Sequence, residues 1–138
     1  MSTASATASA SVELVRSLFE AFNRGDIPSI LGRVASDCQW VCPAEGLLSY
    51  GGTFSGPQGA AEFFQKLGAT EVITLFEPRE YFTSGDDVVA LGYEEGRAIA
   101  TGRTASSQWA MLFRFRGGQV VEWRTHFDTG AYGRAHQG

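Results

Sequence analysis

Lysine is almost missing from this 138-residue chain: Lys66 is the only one, and the other basic residues are arginines spread along the sequence. With a net charge of -4 there is no basic stripe of the kind that binds nucleic acid or an anionic membrane, so neither partner is expected. No apolar run approaches the roughly 18 residues that a spanning helix needs. Residues Met1 to Ala10 are small and polar and lack the basic start and apolar stretch of a signal peptide. They are expected to form a disordered tail, and the protein is expected in the cytoplasm. Soft ligands are as scarce, with two cysteines, Cys38 and Cys42, and two histidines, His126 and His136. If Cys38 and Cys42 share a strand, their Cα atoms lie about 13 Å apart. A disulfide needs less than roughly 7 Å, so the two cannot bridge. A zinc site is not expected from so few ligands, and the thiols read as small buried hydrophobes. Cys42 has no visible partner base that would make it a nucleophile.

Hydrophobic residues make up 43% of the chain and charged ones 19%, enough apolar material for one sizeable core and too little polar excess for a long disordered domain. Val12, Val15, Leu18, Phe19 and Phe22 recur at helical spacing and predict a first helix over Ser11 to Asn23. Gly25 can cap its end, and Asp26 can cap a short second helix with Pro28 in the first turn. Cys38 to Cys42 reads as a strand ended by Pro43. The Gly/Ser/Pro-rich stretch from Pro43 to Gly56 reads as a loop, yet it carries Leu47, Leu48, Tyr50 and Phe54. A third helix is predicted from Pro57 to Leu67. After Glu71 the period changes to two. Strands are predicted over Val72–Phe76, Arg79–Thr83, Val88–Ala100, Ala105–Phe115 and Gln119–Phe127, separated by good turn chemistry. Helices first and antiparallel strands afterwards predict an α+β fold.

The order of these elements, with Phe22-Asn23-Arg24-Gly25-Asp26, Trp40-Val41-Cys42-Pro43, Tyr50-Gly51-Gly52-Thr53-Phe54-Ser55-Gly56, Ala100-Thr101-Gly102-Arg103, Gly118 to Arg124 and Phe127-Asp128-Thr129, resembles the SnoaL-like family of the nuclear transport factor 2-like superfamily. The resemblance covers residues 12 to 132; the expected domain is 11–132, with a short tail over 133–138. It implies a cone-shaped, curved, mostly antiparallel sheet wrapped around helices and enclosing an apolar pocket, in a homodimer. Similar families include ketosteroid isomerases, polyketide cyclases and limonene-type epoxide hydrolases. The isomerase tyrosine would fall at Leu18, its aspartate base at Cys42 and its oxyanion-stabilising aspartate near Met111. The acid that cyclases and epoxide hydrolases carry on the last strand would fall at Thr125. The arginine and aspartate that epoxide hydrolases place two apart would fall at Tyr93 and Glu95.

A three-residue loop Arg116-Gly117-Gly118 would pair Phe115 with Gln119 and set Trp109, Met111 and Phe113 opposite Thr125, Trp123 and Val121. One face then collects Trp109, Met111, Phe113, Val121, Trp123, Thr125 and Phe127, and must look inward. Gln108, Arg114, Glu122, Arg124 and His126 take the other. Trp40, Cys42, Tyr50 and Phe54 join the inward set as candidate ligand contacts, although the tryptophans also suit a plain core. On the long strand the bulky residues Val89, Leu91, Tyr93, Glu95, Arg97 and Ile99 share one face, expected to line the pocket. This makes Glu95 the candidate acid or base, Tyr93 a hydrogen-bond donor and Arg97 its electrostatic tuner. Glu94 takes that place if a bulge at Gly92 or Gly96 reverses the alternation. Glu95 and Arg97 can equally form an ion pair at the mouth of the cone or a dimer contact. The resulting expectation is a cofactor-independent enzyme performing cyclisation, isomerisation, elimination or epoxide opening on a small, largely apolar molecule (polyketide-, terpenoid- or steroid-like). The alternative is a non-catalytic binding or accessory protein with the same fold.

Overall fold

The computed structural model describes the backbone of residues 3–137 and the side chains of residues 10–137. Four helices and six strands follow in the order α1 (Thr3–Asn23), α2 (Ile27–Leu31), β1 (Val34–Cys42), β2 (Gly52–Ser55), α3 (Gly56–Thr70), β3 (Glu71–Ser84), β4 (Asp87–Ala98), β5 (Thr104–Arg116), β6 (Gln119–Phe127) and α4 (Thr129–His136). Helix α1 begins eight residues before the Ser11 start read from the apolar stripe, within the segment expected as a tail. Met1 and Ser2 lie outside the described residues. The C-terminal tail expected over 133–138 is helical as far as His136, and Gly138 is likewise outside the described residues.

All six strands form one curved sheet in the order β2-β1-β6-β5-β4-β3. Every neighbouring pair is antiparallel except β1 with β6. This is the α+β cone, with α1 and α3 held against the inner surface of the sheet and α2 packed on both helices. Asp26 caps α2 through Ser29 N at 3.2 Å, where the sequence pattern places it. Two elements differ from expectation. The Pro43–Gly56 loop contains a short strand, β2, that pairs with β1 through Trp40 and Phe54. The two strands read on either side of Pro78 are one, β3. Proline is accommodated there because β3 is an edge strand and its ladder shifts register between Pro78 and Glu80.

The hairpin between β5 and β6 turns on two residues, Gly117 and Gly118, both at positive φ (57° and 78°), not three. Arg116 pairs with Gln119 and Phe115 with Val120, after which a bulge shifts Arg114 to Glu122. The bulge absorbs the one-residue offset that a two-residue turn introduces, so charge is not buried. Phe113 faces Trp123, Met111 faces Thr125 and Trp109 faces Phe127. The apolar inward set is preserved with one exchange: Val120 is fully buried and Val121 only half-buried.

The core is aromatic. Phe19 on α1 meets Phe76, Trp109 and Phe113 with ring centres 5.3, 5.5 and 5.6 Å away. Trp40 stacks on Trp123 at 4.4 Å. Each such ring contributes about 2–3 kcal/mol through apolar burial, and edge or offset contacts add to that.

Candidate functional site

The inward face of β4 is the reverse of the one its bulky residues predict. Gly92 pairs with Trp109, Glu94 with Ser107 and Gly96 with Ala105 in an unbroken ladder with β5. Residues directly opposite share a face, so the small residues Val88, Ala90, Gly92, Gly96 and Ala98, together with Glu94, look into the cone. The reason is steric. The Trp109 indole lies flat across β4, and a Cβ at Gly92 would meet its Cζ2 at 2.2 Å and the Glu77 carbonyl oxygen at 2.6 Å. Space inside a tightly curved sheet is taken by side chains from β5 and α1, and β4 must be thin beneath them.

Glu95 and Arg97 therefore stand exposed on the outer face. The Tyr93 hydroxyl donates to Glu95 Oε2 at 3.0 Å, with the Arg79 guanidinium over the tyrosine ring at 5.1 Å. None of the three lines the cavity. This corrects the expected acid, donor and tuner, and it comes about without a bulge in β4.

Inside the cone is a cavity of about 90 Å³. Its walls include Leu18, Phe19 and Phe22 of α1, Phe63, Phe64 and Leu67 of α3, and Tyr132 of α4. Of the expected ligand contacts, Trp40, Cys42, Tyr50, Met111, Phe113, Trp123, Thr125 and Phe127 line it. Trp109 and Phe54 do not. Trp109 is stacked on Phe76 at 4.8 Å, and Phe54 is packed against Phe63 at 5.9 Å, so both are core residues. Cys42 is buried among these walls. Burial, and then the negative charges of Glu94 and Glu71, push its thiol up to about 12. It is an inert wall.

Two carboxyl groups enter this apolar space. Glu94 comes from β4, and burial pushes its carboxyl up to about 8, the negative charge of Glu71 adding to the effect. Glu71 begins β3 and is 5% exposed. Burial raises it, while Tyr50 and His136 pull the other way. The Tyr50 hydroxyl donates to Glu71 Oε2 at 3.0 Å, and His136 Nε2 lies 3.3 Å from Oε1. Burial and the charge of Glu71 raise Tyr50 well above the usual tyrosine range. Burial and the charges of Glu94 and Glu71 do the same for Tyr132, so both stay protonated donors. Tyr132 Oη and Trp40 Nε1 are buried, belong to residues that line the cavity and have no hydrogen-bond partner among the described residues. A buried donor without an acceptor is costly unless something supplies one. Among the described residues no group of three His, Cys, Asp or Glu side chains is arranged to hold a metal ion.

Glu71, Tyr132 and His136 escape sequence reading because they lie at the seams: the first residue of a strand and a short C-terminal helix. Glu94 had a signal. The repeated Gly and Ala on its side of β4 mark the surface on which aromatic rings must lie.

The comparisons agree with this architecture. No curated protein matches the chain. Among solved structures, an NTF2-like protein from Burkholderia pseudomallei K96243 is similar at 30% identity over 93% of this chain and 98% of its own, with a TM-score of 0.84. An NTF2-like protein from Burkholderia xenovorans LB400 is similar at 31% identity over 92% and 95%, with a TM-score of 0.82. TerC, co-crystallised with polyporic acid, is similar at 26% identity over 93% and 98%, with a TM-score of 0.75. The model of the SnoaL-like domain matches residues 15–123, from the first core valine of α1 to the tryptophan that stacks on Trp40. The chain belongs to the SnoaL-like family of the NTF2-like superfamily.

Proposed function

We propose that the chain is a cofactor-independent enzyme that moves a proton on a small, largely apolar molecule held in the cone, with Glu94 as the proton carrier. The observation that carries this reading is a buried carboxyl group, pushed up to about 8 by that burial, inside a cavity walled by aromatic rings. Such a group is a general acid at neutral pH and a base above it. Glu71 lies in the same cavity and accepts a hydrogen bond from Tyr50. Two carboxyl groups in different surroundings supply acid and base roles that one alone cannot. The unpartnered Trp40 Nε1–H and Tyr132 Oη–H are donors for a carbonyl, enol or epoxide oxygen on which negative charge develops. Cyclisation, isomerisation, elimination and epoxide opening all need that pair of functions. Support for a small organic occupant comes from the similar TerC, which was co-crystallised with polyporic acid.

The test has two stages. Native mass spectrometry after incubation with a small-molecule extract identifies what the protein retains, and product analysis shows whether it leaves altered. Glu94→Gln is then expected to lower turnover by about 10²–10⁴-fold while retention of the same molecule weakens little. A ligand that is retained and released unchanged by the unsubstituted protein would make the cone a carrier or accessory module. Full turnover by the Glu94→Gln protein would remove Glu94 from the chemistry.

A further inference from the structure

The C-terminal helix does more than close the end of the cone. Asp128 caps it, accepting from Ala131 N at 2.9 Å, and the Asp128 backbone N–H donates to Ser107 Oγ on β5 at 2.8 Å. Its far end is gripped by the turn between β4 and β5. The Thr101 hydroxyl donates to the Ala135 carbonyl at 2.5 Å, and an Arg103 Nη1–H donates to that of Gln137 at 3.0 Å. Both ends are thus tied to the sheet, and the helix between them delivers two side chains inward. Tyr132 reaches the cavity, and its ring and the Glu71 carboxyl both lie over Gly96 of β4; a Cβ there would be 3.4 Å from each. His136 is placed with Nε2 at 3.3 Å from Glu71 Oε1, while the opposite oxygen accepts from Tyr50. The histidine side chain is 19% exposed and that of Glu71 2%. The pair is out of bulk water, where a charge contact keeps most of its strength.

We infer that His136 is a positioning residue of the site: from α4 it holds Glu71 as the charged carboxylate beside Glu94, so that Glu94 is the member of the pair that carries the exchangeable proton. The inference rests on the reading of Glu94 given above and deepens it by naming what separates the two acids. Like charges in one apolar site cannot both form cheaply, so an imidazole held against one of them, able to take up a proton, decides which ionises. The groups facing Glu71 are Tyr50 from the loop before β2, Cys42 of β1, Glu94 of β4, and Tyr132 and His136 of α4. Those acting on Tyr132 also include Tyr93 and Glu95. His136 is the one member of this set that can bear a positive charge.

The experiment is a ¹³C NMR titration of the full chain labelled at the glutamate side-chain carboxyls, with Glu71→Gln and Glu94→Gln for assignment. His136→Phe removes the imidazole nitrogen that meets Glu71 but retains an aromatic ring beside Tyr50. It is expected to raise the Glu71 midpoint and lower that of Glu94 by about one pH unit or more. Glu71→Gln is expected to lower the Glu94 midpoint in the same direction, which covers the case in which His136→Phe does not fold. A Glu94 midpoint that stays near 8 in folded His136→Phe, or in folded Glu71→Gln, overturns this inference alone. A Glu94 midpoint in the ordinary carboxylate range before any substitution overturns the catalytic reading and this inference with it.

Discussion

Burying Glu94 carries a cost that can be measured without a substrate. Its carboxyl ionises near 4.5 in an unfolded chain and near 8 in the folded one. Between those values the folded state holds the extra proton, so stability falls as pH rises across that window and levels off above it. Glu94→Gln removes the charge that must form. The variant is expected to be more stable than the parent at pH 8.5, by on the order of 2 kcal/mol once water reaching the cavity is allowed for, and nearly equal to it at pH 4. Urea unfolding at a series of pH values reads this directly. Gly92 is the opposite kind of residue, needed for its absence of a side chain. Gly92→Ala sets a methyl into the Trp109 ring and the Glu77 carbonyl. A loss of about 3 kcal/mol is expected, visible as a lower urea midpoint. The two residues share a cause. The inner face of β4 is thin so that β5 can lay an indole across it, and the same face carries Glu94 into the cone.

At the scale of elements, much was legible because local chemistry was strong. The α1 stripe, the Asp26 cap and the Gly-containing turn between β4 and β5 fall where their residues place them, whereas the β5–β6 turn is one residue shorter than its sequence suggests. The short β2 was not legible, since Gly52–Ser55 is only four residues long within a Gly/Ser/Pro-rich stretch and its pairing with β1 alone gives it a ladder. Nor was the β5–β6 bulge, which is a compromise between a Gly-Gly turn and the need to keep Glu122 and Arg124 off the inner face. Helix α4 is the element on which the site most depends and the one with the weakest sequence signal, eight residues long with an Asp128 cap. Isolated helices of that length do not hold in water. Its cap should therefore matter: Asp128→Ala is expected to cost about 1 kcal/mol in thermal or urea unfolding.

For the molecule as a whole, the outer surface of the sheet raises the question of assembly. Leu91, Ala110, Leu112 and Val121 are half-buried there, beside Arg114 held between Asp87 at 3.7 Å and Glu122 at 3.6 Å. Exposed pairs of this kind contribute at most about 1 kcal/mol each and give this face little stability of its own. A second copy placed on the mixed surface would bury its apolar part in an isologous contact. A dimer is accordingly expected by sedimentation at tens of micromolar; a species of 14.9 kDa would exclude it.

The class of fold, the inward faces of β5 and of β6 from Trp123 to Phe127, and eight residues of the cavity wall were readable from the amino-acid sequence. These follow from periodicity, turn residues and the rule that charge stays out of an apolar interior. The sequence could not determine which face of β4 looks inward. Alternation divides a strand into two faces but does not say which is which, and the bulkier face is not the inner one where a neighbouring strand supplies the bulk. That choice is made in the folded packing, which lays Trp109 over Gly92. The same packing decides that a glutamate at the start of β3 and a histidine at the end of α4, 65 residues apart in sequence (136 − 71), share one buried contact. No local pattern encodes such a pair, because it is made by the closing of the cone.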